Sequence, residues 1–165
     1  MRDLDLLINA ARAAGDIARK YFNASPEVWE KSGGQGPVTE ADLHVNRQLE
    51  TDLQAARPDY GWLSEETEDG SARLKTDRQF IIDPIDGTKA FISGKPAFGT
   101  LVGLLHHNLP VAGLVDMPVF AECYIGLNGF SDTHHAKLNG VAITPSGQSV
   151  LGAARLATTS PRALS

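Results

Sequence analysis

The chain has 165 residues, 42% of them hydrophobic, and its 20 acidic against 15 basic residues give a formal net charge of −5. That length suits one domain with a real core rather than two. No stretch approaches the ~20 apolar residues of a membrane span, and no cluster of Lys and Arg offers a surface to nucleic acid or anionic lipid. The start, Met1-Arg2-Asp3-Leu4-Asp5, carries acids where a signal peptide needs a basic flank and an apolar run, which points to the cytoplasm. Cys123 is the only cysteine, so no disulfide closes within the chain and no cysteine-based zinc site forms. Lying in the strand-like run Glu122-Cys123-Tyr124-Ile125, it reads as a small buried hydrophobe.

The first element is an amphipathic helix of about five turns. Leu4, Leu7, Ile8, Ala11, Ala14, Gly15, Ala18, Tyr21 and Phe22 recur at steps of three and four, with Arg12, Asp16, Arg19 and Lys20 between them. A polar, glycine-rich segment follows, Glu30 to Pro37, which reads as a mobile loop or a plain linker. Val38-Thr39-Glu40-Ala41-Asp42 opens a second helix: Thr39 is a natural N-cap and Asp42 stands three residues on, at capping-box spacing. Ala41, Val45, Leu49, Asp52-Leu53 and Ala56 trace one face, and Pro58 ends it.

The period then changes. Tyr60 to Leu63 makes a possible short strand and Gln79 to Ile82 a buried one. Thr100 to Leu105, Val111 to Met117 and Glu122 to Ile125 continue the pattern, with a turn at His106 to Leu109. Asn128-Gly129 and Asn139-Gly140 are tight-turn signals, the second suggesting a hairpin. Two helices followed by mainly antiparallel strands predict an α+β domain with the helices packed on the sheet. Its extent is residues 1–145. Residues 146–165 read as a linker, Pro145 to Ser149, and the start of a further element at Leu151 to Thr158.

Three acidic features bear on function. In Ile81-Ile82-Asp83-Pro84-Ile85-Asp86-Gly87-Thr88 an apolar strand runs into two carboxylates three apart, followed by a glycine turn whose amides can cradle an anion. The other two are Ser64-Glu65-Glu66-Thr67-Glu68-Asp69 and Thr39-Glu40-Ala41-Asp42. Each has a plain alternative: a turn, a solvated acidic loop, a capped helix start. Together they place acids at the ends of regular elements, where sites are built. A phosphate-binding protein with few basic residues needs another positive charge, and a hard, oxygen-loving divalent cation suits carboxylates beside an amide cradle. The segment Gly87 to Gly94-Lys95 is too long for a P-loop, and Pro96 stands where Ser or Thr would be needed. His44, His106, His107, His134 and His135 show no zinc spacing and read as surface or turn residues.

The ordered set Pro37 to Asp42, Glu65-Glu66 and Asp83-Pro84-Ile85-Asp86-Gly87-Thr88 resembles the inositol monophosphatase superfamily, over nearly the whole chain. The resemblance implies a sugar-phosphatase-like fold whose C-terminal part is missing here, because neither Trp29 nor Trp62 precedes the aspartate that the family places after a tryptophan. It implies magnesium held by Glu65, Asp83 and the Ile85 carbonyl, with a second ion on Asp83 and Asp86. It implies that Thr88, hydrogen-bonded to Asp42, orients the attacking water, and that the Gly87 and Thr88 amides receive the phosphate. The loop around Lys31 resembles the family's mobile loop, which helps complete the metal sites. The implied reaction is two-metal hydrolysis of a small phosphorylated metabolite, inhibited by lithium and without a covalent enzyme intermediate, in a protein that is a homodimer at full length. Asp86 to Pro96, Phe98 to Leu101 and Ala157 to Pro161 look most like the histidinol-phosphatase branch. Lys89 departs from the inositol monophosphatase pattern but also suits phosphoadenosine-phosphate phosphatases. A reading of another class is an inactive metal-binding or oligomerisation module.

Overall fold

The computed structural model describes residues 2–34, 36–128, 135–153 and 155. Helix α1 spans Asp3–Tyr21 and buries Leu6, Leu7, Ala10, Ala11, Ala14, Gly15 and Ala18. So many small side chains let it lie close to its neighbours. Strands β1 (Val28–Glu30) and β2 (Pro37–Thr39) pair antiparallel. The glycine-rich segment between them therefore turns the corner of a two-stranded ribbon, closed by the Lys31 amide donating to the Gly36 carbonyl at 2.9 Å. Helix α2 (Glu40–Ala56) starts at the expected capping box. Its inward residues, Ala41, Val45, Leu49 and Leu53, are fully buried, whereas Ala56 is exposed.

Among the described residues the main sheet has seven strands: β3 (Gly61–Ser64), β4 (Arg78–Asp86), β5 (Gly99–His106), β6 (Leu109–Met117), β7 (Glu122–Leu127), β8 (His135–Leu138) and β9 (Val141–Ile143). They pair in chain order, and every pairing is antiparallel except β3 with β4. A one-turn helix, α3 (Thr88–Ile92), follows β4. The core lies between the helix pair and one sheet face, where Phe80, Ile82, Val102, Leu104 and Leu114 meet α1 and α2. Cys123 is buried there, as its run implies.

Several boundaries differ from the sequence reading. Strand β4 does not stop before the acids but carries both, because Pro84 sits at an irregularity in the ladder where no amide is needed. The hairpin at Asn139-Gly140 forms, both residues having positive φ, as a two-residue turn between twisted strands requires. Residues 144–150 have no regular structure. Of the proposed element at Leu151 to Thr158, only a 3₁₀ turn at Leu151–Ala153 is described. Gly129, His134 and Ala157 to Pro161 lie outside the described residues.

One ionic knot ties the far end of this layer together. Asp3, at the start of α1, accepts from Arg57 Nη2 at 2.8 Å, Arg78 Nη1 at 2.9 Å and the Tyr60 hydroxyl at 2.9 Å. These partners come from the end of α2, the approach to β3 and the start of β4. Asp3→Ala removes an acceptor that two half-buried guanidinium groups share. We expect it to lower unfolding free energy by about 1–3 kcal/mol, less than a fully buried pair because water screens both arginines. Urea denaturation at neutral pH measures this.

Candidate metal and phosphate site

The site forms where β3, β4 and α2 end or begin together. The parallel ladder pairs Ser64 with Ile82 and runs one step further, the Glu65 amide donating to the Ile82 carbonyl at 3.1 Å. Glu65 therefore leaves the sheet beside Asp83. Ser64 is held from behind by its hydroxyl, which donates to Asn46 Oδ1 of α2 at 2.6 Å.

Residues three apart on a regular strand point to opposite faces. Asp83 pairs with Leu101 and Asp86 with Gly99, so β4 takes three steps where β5 takes two. This β-bulge allows Asp83 and Asp86 to share a side. The Thr100 hydroxyl pins it by donating to the Pro84 carbonyl at 2.8 Å. Gly87 then turns the chain at φ 89°, where an added Cβ would stand 3.0 Å from the Ala97 carbonyl, so conformation and space both select glycine.

From α2 comes Asp42, only 1% exposed. Its Oδ2 accepts from the Thr39 amide at 2.8 Å and the Thr39 hydroxyl at 2.6 Å. The Thr88 hydroxyl stands 3.0 Å from the Ile85 carbonyl and 3.4 Å from Asp42 Oδ1, and its single hydrogen serves one at a time. The ordered set of acids thus converges: Asp42, Glu65, Asp83, Asp86 and Thr88 belong to one locality, with the Ile85 carbonyl among them.

Their charges act on one another. Burial pushes Asp83 from its ordinary 3.8 to about 7, helped by the charges on Glu65 and Asp86, a hydrogen bond with Glu65 and the charge on Asp42. Burial also raises Asp42 and Glu66, against their hydrogen bonds from Thr39 and Lys31. The opposing charge is Lys31, from the β1–β2 turn. Its Nζ lies 2.7 Å from both Glu65 Oε1 and Glu66 Oε1. Burial works to lower its pKa, yet the two carboxylates win and raise it. Sequence reasoning named the Lys31 loop and quoted Glu66 but did not pair them. It missed Asn46 altogether, although a polar residue one helical turn after Asp42, on a face that is otherwise apolar, was a usable signal.

Among the described residues no three Asp, Glu, His or Cys side chains are gathered tightly enough to hold an ion by themselves. The donor set still fits magnesium, which takes few protein oxygens and keeps its waters. Neighbouring carboxylates, a carbonyl and no soft ligand are the donor chemistry that a hard cation takes.

The pH dependence follows from Asp83. Between about pH 4 and 7 the folded protein keeps a proton that the unfolded chain has released, so stability falls as pH rises through that window. In chelator we expect a lower Tm at pH 8 than at pH 5, and Asp83→Asn to raise the Tm at pH 8 while flattening the slope. Thermal scans across pH check this. Equal slopes in both proteins would place the titration elsewhere.

The sequence pattern of the inositol monophosphatase family matches residues 2–163. Bifunctional phosphatase IMPL2, chloroplastic, of Arabidopsis thaliana is 37% identical over 155 residues, 94% of this chain and 43% of that protein. Histidinol-phosphatase of Mycobacterium tuberculosis is 37% identical over 127 residues, 77% of this chain and 48% of the relative. A Thermotoga maritima IMPase structure superposes with a TM-score of 0.78 at 30% identity, covering 89% of this chain and 55% of that one. The chain spans about half the length of the curated relatives it matches, in each case their N-terminal part. By sequence pattern, by relatives and by fold, the chain belongs to the inositol monophosphatase family.

Proposed function

We propose that this chain is the metal-binding part of a magnesium-dependent phosphomonoester hydrolase acting on a small phosphorylated metabolite. The observation that carries this reading is the convergence of separate segments: the Glu65 amide on the Ile82 carbonyl beside Asp83, the bulge that brings Asp86 round, and Thr88 reaching Asp42. Like charges brought together cost free energy that a retained proton, Lys31 or bound cations offset, and above neutral pH cations do so most directly.

Glu65, Asp83 and the Ile85 carbonyl would hold one magnesium, and Asp83 with Asp86 a second. When bound, the ions supply positive charge that activates water and offsets the growing charge on the phosphoryl oxygens. The protein's own groups do the rest. The Gly87 and Thr88 amides, turned together by the left-handed glycine, receive the phosphate. Thr88 donates toward Asp42 and so presents its oxygen lone pairs to the attacking water. Burial brings Asp42 nearer neutrality, which suits it to take up a proton through Thr88. No covalent intermediate is required.

For the substrate we favour histidinol phosphate. The segment Asp86 to Pro96, with Lys89 after the phosphate turn, and the histidinol-phosphatases among the relatives support it. Inositol monophosphatases and a 3'(2'),5'-bisphosphate nucleotidase are also relatives, so inositol 1-phosphate and 3'-phosphoadenosine 5'-phosphate are the comparison substrates.

The test is phosphate release from these three compounds, with and without magnesium, by the protein in a form as long as its relatives. We expect magnesium-dependent release, fastest from histidinol phosphate. Asp83→Asn should reduce turnover by about 10³-fold or more, since it removes the carboxylate assigned to both ions. Thr88→Ala should lower turnover more than magnesium affinity. Wild-type turnover in Asp83→Asn defeats the assignment. The 165-residue chain, assayed alone, decides whether it is an enzyme or an inactive metal-binding module.

A further inference from the structure

A second charged feature lies away from the acidic site, where α1 meets the turn between β6 and β7. Ala112 and Leu114 point from β6 into the core, and the next residue of that series is Asp116, 8% exposed. Its register partner on β7 is buried Cys123. An acid thus stands where the strand's alternation calls for an apolar residue. Gly15 of α1 makes room for it, since a side chain there would collide with Asp116 Oδ2.

Nothing among the described residues donates a hydrogen bond to this carboxylate. It lines a cleft of about 330 Å³ whose rim carries Arg12, Asp16 and Arg19. Arg19 is paired with Asp16. Among the described residues Arg12 makes no hydrogen bond or contact ion pair, and its charge reaches Asp116 without contact. Asn139, also on the rim, is engaged with the backbone of Cys123 and Ala121. One buried anion and one uncommitted cation therefore face the same space without meeting. The carboxylate oxygens that lack a protein donor open onto the cleft, where a ligand's donor can take the place of water.

We propose that this cleft binds a small zwitterion, its ammonium group on Asp116 and its acid group on Arg12. The charges decide between ligand classes. A bare divalent cation would find Asp116 and an Asp16 already paired with Arg19, opposed by two guanidinium groups, too little net negative charge to hold it. A simple anion would meet Asp116. An ammonium brings three donors to an acceptor that has none, and a carboxylate suits the fork of Arg12. The space accommodates an amino acid of leucine's size. The inference is independent of the phosphate site, and its test reads binding rather than hydrolysis.

The test is calorimetric titration of the chain with free L-amino acids, using L-leucine with its two half-ligands, isopentylamine and 4-methylpentanoate. We expect at least one amino acid to bind, and each half-ligand of leucine to bind roughly tenfold or more weakly than leucine does. Asp116→Asn and the surface variant Arg12→Gln should each weaken amino-acid binding by a similar factor. Arg12→Gln leaves the core untouched, so it reports even if Asp116→Asn unfolds. Binding by no amino acid at millimolar concentration overturns the proposal. So does binding that Arg12→Gln leaves unchanged, or a crystal structure in which Arg12 itself folds onto Asp116.

Discussion

The parallel pairing of β3 with β4 is the constraint on which the acidic site depends. Among the described residues it is the sheet's one parallel pair, and it sends both chains out of the sheet at the same end. Had β3 run the other way, its exit would lie beside Arg78 rather than Asp83. The extra ladder step from Glu65 to Ile82 then fixes the two carboxylates side by side. The backbone thus sets their repulsion. Lys31 answers it partly, by straddling Glu65 and Glu66 rather than by touching Asp83.

Behind the acids, α2 is a frame with two kinds of residue on one face. Ala41, Val45, Leu49 and Leu53 hold it to the sheet and to α1. Thr39, Asp42 and Asn46, buried among them, reach forward to the site elements: Asn46 to Ser64 at the end of β3, Asp42 to Thr88 at the start of α3. Buried polar groups are tolerable only when satisfied, and among the described residues no fully buried side-chain nitrogen or oxygen lacks a partner. The capping box is thus more than a helix start. The hydroxyl that caps α2 also donates to Asp42 and sets the oxygen facing Thr88.

How much of this was legible depends on the range of each interaction. Local rules sufficed for α1, for the Thr39 cap and for the Asn139-Gly140 hairpin, because each is decided within a few residues. The individual acids were visible, and the family resemblance put them in one site. The bulge between Asp83 and Asp86 was not legible, since it exists only against β5. The pairing of Lys31 with Glu66 crosses 35 positions of sequence, and no periodicity links a glycine-rich turn to an acidic loop. Asn46 was missed for a subtler reason: amphipathic counting treats a polar residue on an apolar face as noise, whereas here it is a contact.

Asp83 and Asp116 make a useful contrast, because burial is the first cause of a raised pKa in both. Burial alone says only that the charged form is disfavoured. The second cause differs in sign. Around Asp83 the neighbours are Glu65, Asp86 and Asp42, which push further in the same direction, so the locality as a whole asks for concentrated positive charge. Around Asp116 the next influences are Arg12 and Arg19, which pull back, so little net charge is wanted there. What Asp116 lacks, among the described residues, is a protein donor at hydrogen-bonding distance. The first environment suits a hard dication and the second a single ammonium with its own counter-charge, and neither distinction is visible in the two aspartates' burial alone.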